Sequence, residues 1–205
     1  MNSPQIYTKP DLLSADECDF ILWVADSQEE WDPMPGSFFD NKTIDFFTTL
    51  QHRRYSSPFL QRLSMQVYRK IQEFVSNRFT ESLNLDFMAV MRLERGQSQI
   101  PYAYGSPGDG RIAGCVLYLN DGFGGGVSYY PNLNATINAR TGMAQVSSAD
   151  DVHAHGVTEV TEGTRFTIVS TWTRNEIPEL MSGHLKKMGD YLAECCSGEQ
   201  PTVVI

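Results

Sequence analysis

His155, Arg165 and Thr167 are the residues of this 205-residue chain whose types and spacing most directly suggest chemistry. The arginine lies ten positions past the histidine, and the threonine two positions past the arginine. An imidazole exchanges a proton near neutral pH or binds a metal through a ring nitrogen. A guanidinium presents a planar fork of donors that matches a carboxylate. A second stretch, IPYAYG, carries Tyr102 and Tyr104 at positions i and i+2. That spacing aims two side chains at the same face of an extended strand. Phenols titrate near pKa 10, so at neutral pH both are proton donors. His and Tyr together form an acid–base set when they lie within hydrogen-bond reach of a substrate. Arg165 would anchor an anion and stabilise developing negative charge.

The elements that position these residues follow from hydrophobic periodicity. LLSADECDFILWVADS opens with Ser14 three residues before Glu17, a capping box ahead of an apolar run, and predicts a helix over about 15–27. Residues 28–57 are rich in Trp, Phe, Pro and Gly and read as short strands and loops. Leu60, Leu63, Val67, Ile71, Phe74 and Val75 recur in steps of three and four, which predicts an amphipathic helix over about 58–79. Beyond it DFMAVMRLE, IAGCVLYLN, VSYYP, ATINA, MAQVSS and RFTIVSTWT are short β-rich runs split by Gly, Asn, Asp and Pro. A closing helix is expected over about 178–195. The glycines of NDGFGGGVSYYPN lie between two strands, not where a strand hands over to a helix, so they predict a bulged hairpin and not a phosphate cradle. With no internal repeat or composition break, one domain over 1–205 is expected. The pattern points to an α+β fold with an antiparallel barrel or sandwich.

The segment MAQVSSADDVHAHGVTEVTEGTRFTIVSTWT places Gly156-Val157 after His155, then Val160, Gly163, Arg165, Thr167 and Trp172. VLYLNDGFGGGVSYYPN and Thr141-Gly142-Met143 precede it. In order and spacing these elements resemble the iron(II)/2-oxoglutarate-dependent dioxygenases, in their prolyl 4-hydroxylase-like branch. The resemblance covers about residues 86–173, and LLSADECDFIL is similar to that branch's N-terminal helix. It implies a double-stranded β-helix, a jelly-roll, cupin-like core with flanking helices. It also implies that His155 corresponds to the distal metal-binding histidine. Arg165 would then be the basic residue that pairs with the far carboxylate of 2-oxoglutarate, with Thr167 adding a hydroxyl beside it.

The same resemblance calls for a His-x-Asp pair after MRLERGQSQIP, where this chain has Tyr102-Ala103-Tyr104. Two imidazoles and a carboxylate hold ferrous iron on one face and leave three positions open. Two protonated phenols offer neither donor type, and their rings take up room. Between Arg92 and Tyr118 there is no histidine, so no small shift of register restores the pair. If a metal is bound, His155 would be a ligand, with His153, Tyr104 or Asp109 as partners. His153 lies two positions before His155, where a strand would put both on one face. The competing reading makes His153 structural and Asp109, Asp150 and Asp151 turn-forming. His52 and His184 lie far from the motifs and read as surface residues.

The bulk properties narrow the classes. A formal charge of −9, with no concentrated basic face, argues against nucleic acid as a partner. Hydrophobic content of 41% with 20% charged residues is that of a globular protein. No apolar stretch nears the roughly 20 residues that cross a bilayer, and the N-terminus reads as no secretory signal. A cytoplasmic protein with reduced thiols at Cys18, Cys115, Cys195 and Cys196 is therefore expected. The N-x-T sequons at Asn41 and Asn134 then read as chance. The oligomeric state is left open.

Three functions compete on these residues. The first, which the sequence favours, keeps the fold without iron or any other cofactor. Tyr102, Tyr104, His155 and Arg165 then line a pocket for a carboxylate-bearing small molecule, with acid–base chemistry such as isomerisation, elimination or cyclisation. The second is an Fe(II)/2-oxoglutarate hydroxylase with non-standard ligands. The third is a non-catalytic binding protein, with DPMPGSFFD and IDFFTTL as aromatic anchors for a protein partner.

Overall fold

The computed structural model describes residues 5–26, 32–33, 42–45 and 58–175. Two helices and thirteen strands occupy them. Strand β1 (Tyr7–Lys9) precedes helix α1 (Ala15–Asp26), then come β2 (Asp32–Pro33), β3 (Lys42–Asp45) and helix α2 (Pro58–Ser76). The strands β4 (Asn84–Glu94), β5 (Gln99–Tyr102), β6 (Arg111–Tyr118), β7 (Gly124–Gly125), β8 (Ser128–Tyr130) and β9 (Ala135–Ile137) follow. The last four are β10 (Ala144–Ser148), β11 (His155–Val157), β12 (Val160–Glu162) and β13 (Thr164–Thr173). The expected closing helix over 178–195, His52, His184, Asn41, Cys195, Cys196 and most of the two aromatic segments lie outside the described residues.

Helix α1 begins with the capping box its sequence predicts. The Ser14 amide donates to Glu17 Oε2 at 2.8 Å, and the Glu17 amide donates to Ser14 Oγ at 3.2 Å. Burial alone would raise the Glu17 carboxyl, but Lys70 and the Ser14 amide outweigh it and hold the group below its ordinary range. Lys70 reaches Glu17 from α2 at 2.6 Å and ties the two helices together. Cys18, Ile21 and Ala25 from α1 are buried with Leu63, Val67, Ile71, Phe74 and Val75 from α2. Both helices therefore turn one apolar stripe inward.

That stripe meets a seven-stranded sheet in the order β1-β10-β6-β13-β4-β3-β2. The neighbours are paired antiparallel. Side-chain alternation divides the sheet into two faces. Ala113, Cys115 and Leu117 of β6, with Ile168 and Trp172 of β13, pack toward the helices. The intervening Val116, Tyr118 and Val169 belong to a second cluster with Met91, Tyr104 and Met143. This is the interior of the barrel, closed by a four-stranded sheet in the order β5-β11-β8-β9. Hydrogen bonds from Arg165 to Ser128 and from Gln145 to Tyr130 join the two sheets across that interior.

The glycine-rich stretch departs from the expected bulged hairpin. Its flanking strands β6 and β8 lie in different sheets, and Gly124–Gly125 instead pairs with β12 as a two-stranded ribbon. Left-handed φ values of +67° and +60° at Gly125 and Gly126 turn the chain between sheets. A Cβ at Gly125 would strike the Glu159 carbonyl, so the ribbon needs glycine there.

Candidate functional site

Each candidate residue reaches the barrel interior by strand parity. On β13, Arg165 and Thr167 share the inward face with Val169. On β11, His155 lies directly opposite Tyr102 of β5, in a pair whose register shifts before Val157. Tyr104 follows two residues past Tyr102 and turns in beside it, their rings edge to face at 5.3 Å. The His155 ring lies 5.6 Å from Tyr102, 4.8 Å from Tyr104 and 4.9 Å from Tyr130, on which it stacks. The structure thus brings Tyr102, Tyr104, His155, Arg165 and Thr167 to one small cavity.

Two expected partners are elsewhere. His153 is not on the strand of His155 but closes a 3-10 turn over Asp151–His153. Its Nδ1 lies 2.6 Å from Asp150 Oδ1, and the Asp150 side chain also caps that turn by accepting from the His153 amide. That ring nitrogen is committed to Asp150, and the His153 backbone carbonyl lies 3.2 Å from His155 Nδ1. Asp109 accepts from the amides of Ser106 and Arg111 at 2.7 and 2.8 Å, locking the turn before β6. Burial works to raise its carboxyl, but those two amides dominate and hold it below the ordinary range. Both side chains are taken up by hydrogen bonds within local turns.

Among the described residues that line the cavity, Arg165 is the one cation and the rest are neutral. Burial pushes the His155 imidazole down to about 4, and the nearby Arg165 charge adds to this against the bond to the His153 carbonyl. Because that carbonyl only accepts, Nδ1 carries the proton and Nε2 holds the lone pair. Burial raises the Tyr102 phenol, outweighing hydrogen bonds from Gln99 and Tyr104. It raises the Tyr104 phenol further, with the neighbouring Tyr102 and Tyr130 adding to the effect. Both phenols are therefore protonated donors at neutral pH.

Arg165 is 4% exposed. Its Nη1 donates to Thr167 Oγ1 at 3.4 Å and its Nη2 to Ser128 Oγ at 3.2 Å. The guanidinium carbon lies 5.1 Å from the Tyr118 ring centre. Its Nε is buried with no hydrogen-bond partner. Among the described residues no carboxylate pairs with it.

Sequence reasoning missed four further residues of this interior. Tyr118 Oη shares a 2.7 Å hydrogen bond with Ser128 Oγ and donates to Gln145 Oε1 at 3.3 Å. Gln145 Nε2 donates in turn to Tyr130 Oη at 3.1 Å. The signal was present in VSYYP, where Ser128 and Tyr130 alternate onto one face, and in the inward parity of Tyr118 with Val116. Cys115 and Cys18 are buried free thiols, and burial pushes them up to about 12 and about 11. Neither is poised as a nucleophile.

The residues at the cavity do not fit ferrous iron. Among the described residues they offer one imidazole, two phenols that hold their protons, and no carboxylate. Among the described residues no three His, Cys, Asp or Glu side chains gather as a metal would require. Nor is the opening large: the free space at the centre is about 10 Å³, room for one water. Among the described residues no helix is long and apolar enough to cross a membrane.

No family model matches the sequence, and no curated protein matches it significantly. Solved structures do match the fold. A viral collagen prolyl hydroxylase from Paramecium Bursaria Chlorella virus-1, in complex with 2-oxoglutarate, aligns with a TM-score of 0.66 at 16% identity. The alignment covers 85% of this chain and 98% of that one. A prolyl hydroxylase from Trichoplax adhaerens, in complex with a hypoxia inducible factor peptide, aligns at 0.65 and 15% identity over 84% and 85% of the two chains. The non-heme alpha-ketoglutarate-dependent epimerase SnoN of nogalamycin biosynthesis aligns at 0.62 and 14% identity over 83% and 76%. The chain accordingly has the double-stranded β-helix fold of the iron(II)/2-oxoglutarate oxygenases, in the form seen in prolyl hydroxylases.

Proposed function

We propose that this chain uses the oxygenase fold as a metal-independent pocket for a carboxylate-bearing small molecule, with acid–base chemistry at His155, Tyr102 and Tyr104. One observation carries the reading. A fully buried guanidinium, with an unpaired Nε and no carboxylate partner among the described residues, faces the same cavity as a neutral imidazole and two protonated phenols. A buried charge of this kind is costly unless an anion meets it.

In this reading Arg165 and Thr167 hold the carboxylate and offset negative charge that develops beside it. The Nε2 lone pair of His155 accepts a proton from an adjacent carbon. A Tyr102 or Tyr104 hydroxyl returns one to another atom of the ligand, which amounts to an isomerisation; loss of a leaving group instead gives elimination or cyclisation. For a ligand larger than one water, Tyr102 must swing aside. It is half-buried, and it sits on β5, the edge strand of its sheet. That a neighbour of this fold is named an epimerase supports outcomes other than hydroxylation on this scaffold.

The second reading is an Fe(II)/2-oxoglutarate oxygenase with unusual ligands, favoured by the fold of the neighbours. Anaerobic loading of the purified protein with Fe(II) and 2-oxoglutarate separates the two. The metal-independent reading expects no stoichiometric iron, no charge-transfer absorbance and no succinate. Stoichiometric iron with succinate formation overturns it. The double change Tyr102→His with Tyr104→Asp is expected to create iron binding. A folded double variant that binds none removes the correspondence between these tyrosines and a metal pair.

A further inference from the structure

We infer that Asp150 is a positioning residue: it holds the His153 carbonyl against His155 and so selects which ring nitrogen of His155 carries the proton. The inference rests on the proposed use of His155 as a base, and adds a residue that acts only through it.

The two tautomers of a neutral imidazole differ in which nitrogen can accept a proton. In water the free side chain favours the proton on Nε2. That tautomer would turn the Nδ1 lone pair of His155 against the oxygen of the His153 carbonyl, 3.2 Å away. A base that works through Nε2 needs the less favoured form, and an acceptor fixed beside Nδ1 selects it. His155 is 3% exposed, so the surrounding chain and not bulk solvent sets the choice.

That carbonyl belongs to a single 3-10 turn, Asp151–His153, too short to hold its own geometry. Asp150 clasps it from outside. One carboxylate oxygen, Oδ1, accepts from the His153 amide at 3.1 Å and lies 2.6 Å from His153 Nδ1. A carboxylate accepts, so that ring nitrogen donates. The Asn132 side chain adds a second anchor by donating to the Asp151 carbonyl at 2.8 Å. It belongs to the turn Pro131–Leu133, which directly follows Tyr130, the ring on which His155 stacks.

Loss of the clasp would be felt at His155 because His153 is itself buried, at 4% exposure. Its Nε2 already has no hydrogen-bond partner. Without Asp150 both ring nitrogens would be buried and unpaired, a cost that drives the ring to move. The carbonyl on the same residue moves with it, and His155 then loses the acceptor that held the proton on Nδ1.

The test is a long-range proton–nitrogen correlation spectrum of the full chain at neutral pH, without ligand, with His155 assigned through His155→Gln. In the unmodified protein His155 should show a pyrrole-type Nδ1 and a pyridine-type Nε2. In Asp150→Ala the two nitrogen shifts should approach each other as the tautomer ratio falls roughly fivefold, the equivalent of about one hydrogen bond. Asp150→Asn keeps an acceptor in the same place and should keep the original pattern. Ser14→Ala, which loses a cap far from the cavity, should leave it unchanged. A proton found on Nε2 in the unmodified protein, or an Asp150→Ala spectrum identical to it, overturns the inference. So does an equal response in Ser14→Ala, which would make the effect one of stability alone. If Asp150→Ala fails to fold, Asp150→Ser decides, since serine can still cap the amide but does not reach the ring; an unchanged His155 there overturns the inference as well. A tautomer that follows Asp150 while no carboxylate ligand binds would sink the proposed function and leave this assignment standing. Carboxylate binding with a tautomer indifferent to Asp150 would do the reverse.

Discussion

The Tyr104 ring lies against the bare Cα of Gly114, so close that a single added methyl there would overlap it. Gly114 is on β6, beside the inward-facing Val116 and Tyr118, and its missing side chain is the slot that the ring fills. The phenol at this position is thus accommodated by a matching gap in the opposite sheet. A tyrosine added to a barrel shaped for a smaller ligand would have no such seat.

Gly114→Ala should therefore destabilise the protein by about 1–3 kcal/mol, the usual cost of overpacking a core. In an ordinary strand position the same change would help, because glycine interiors are entropically costly. Denaturant unfolding gives the sign. The cost should fall when Tyr104→Leu is added, and a double-mutant cycle measures that coupling. A neutral Gly114→Ala would mean that the ring is free to leave its slot.

His155 sets an acid limit on stability. Its folded value of about 4 lies below its ordinary 6.5, so between these pH values the unfolded chain binds the extra proton. Stability contributed by the neutral imidazole is fully present above pH 6.5 and is lost as pH falls toward 4. The total is on the order of 3 kcal/mol. Unfolding free energies measured from pH 4 to 7.5 should show this slope, and His155→Gln should flatten it.

Gln145 is the link between Tyr118 and Tyr130, on which His155 stacks. Gln145→Leu keeps the volume but removes one hydrogen-bond partner from each of the Tyr130 and Tyr118 hydroxyls. A loss of about 0.5–1.5 kcal/mol for each hydrogen bond removed is expected. Adding Tyr130→Phe should recover part of it, since one of the two hydroxyls that lost a partner is then gone.

At the N-terminus of α1, Ser14→Ala should cost about 1 kcal/mol of stability through the lost cap. Glu17→Gln keeps the capping geometry and removes the charge that meets Lys70, a partly exposed pair worth about 0.5 kcal/mol. Thermal melts at low and high salt distinguish them, since only the second should be salt-sensitive.

Much of this molecule was legible from local rules. The capping box at Ser14 and Glu17 and the three-four spacing from Leu63 to Val75 announce the two helices. Runs such as RFTIVSTWT carry the period-two alternation that divides the main sheet into a helix face and an interior face. The same parity places Arg165 with Thr167, and the i, i+2 spacing puts Tyr102 near Tyr104. These features depend on neighbours within a few residues, and so a linear reading captures them. What the sequence could not decide depends on contacts between distant segments. Short strands such as β1, β5, β11 and β12 lack enough residues to show a period and exist because a partner strand from elsewhere in the chain satisfies their backbone. The glycines at 124–126 were misread because a turn between sheets and a hairpin use the same residues, and only pairing with β12 distinguishes them. His153 left the strand face because Asp150 offered its ring a closer partner. The closing of the cavity around Arg165 is likewise a tertiary outcome: it needs Gly114, Ser128 and Tyr118 from three places in the chain to meet, and volume is not encoded at any one of them.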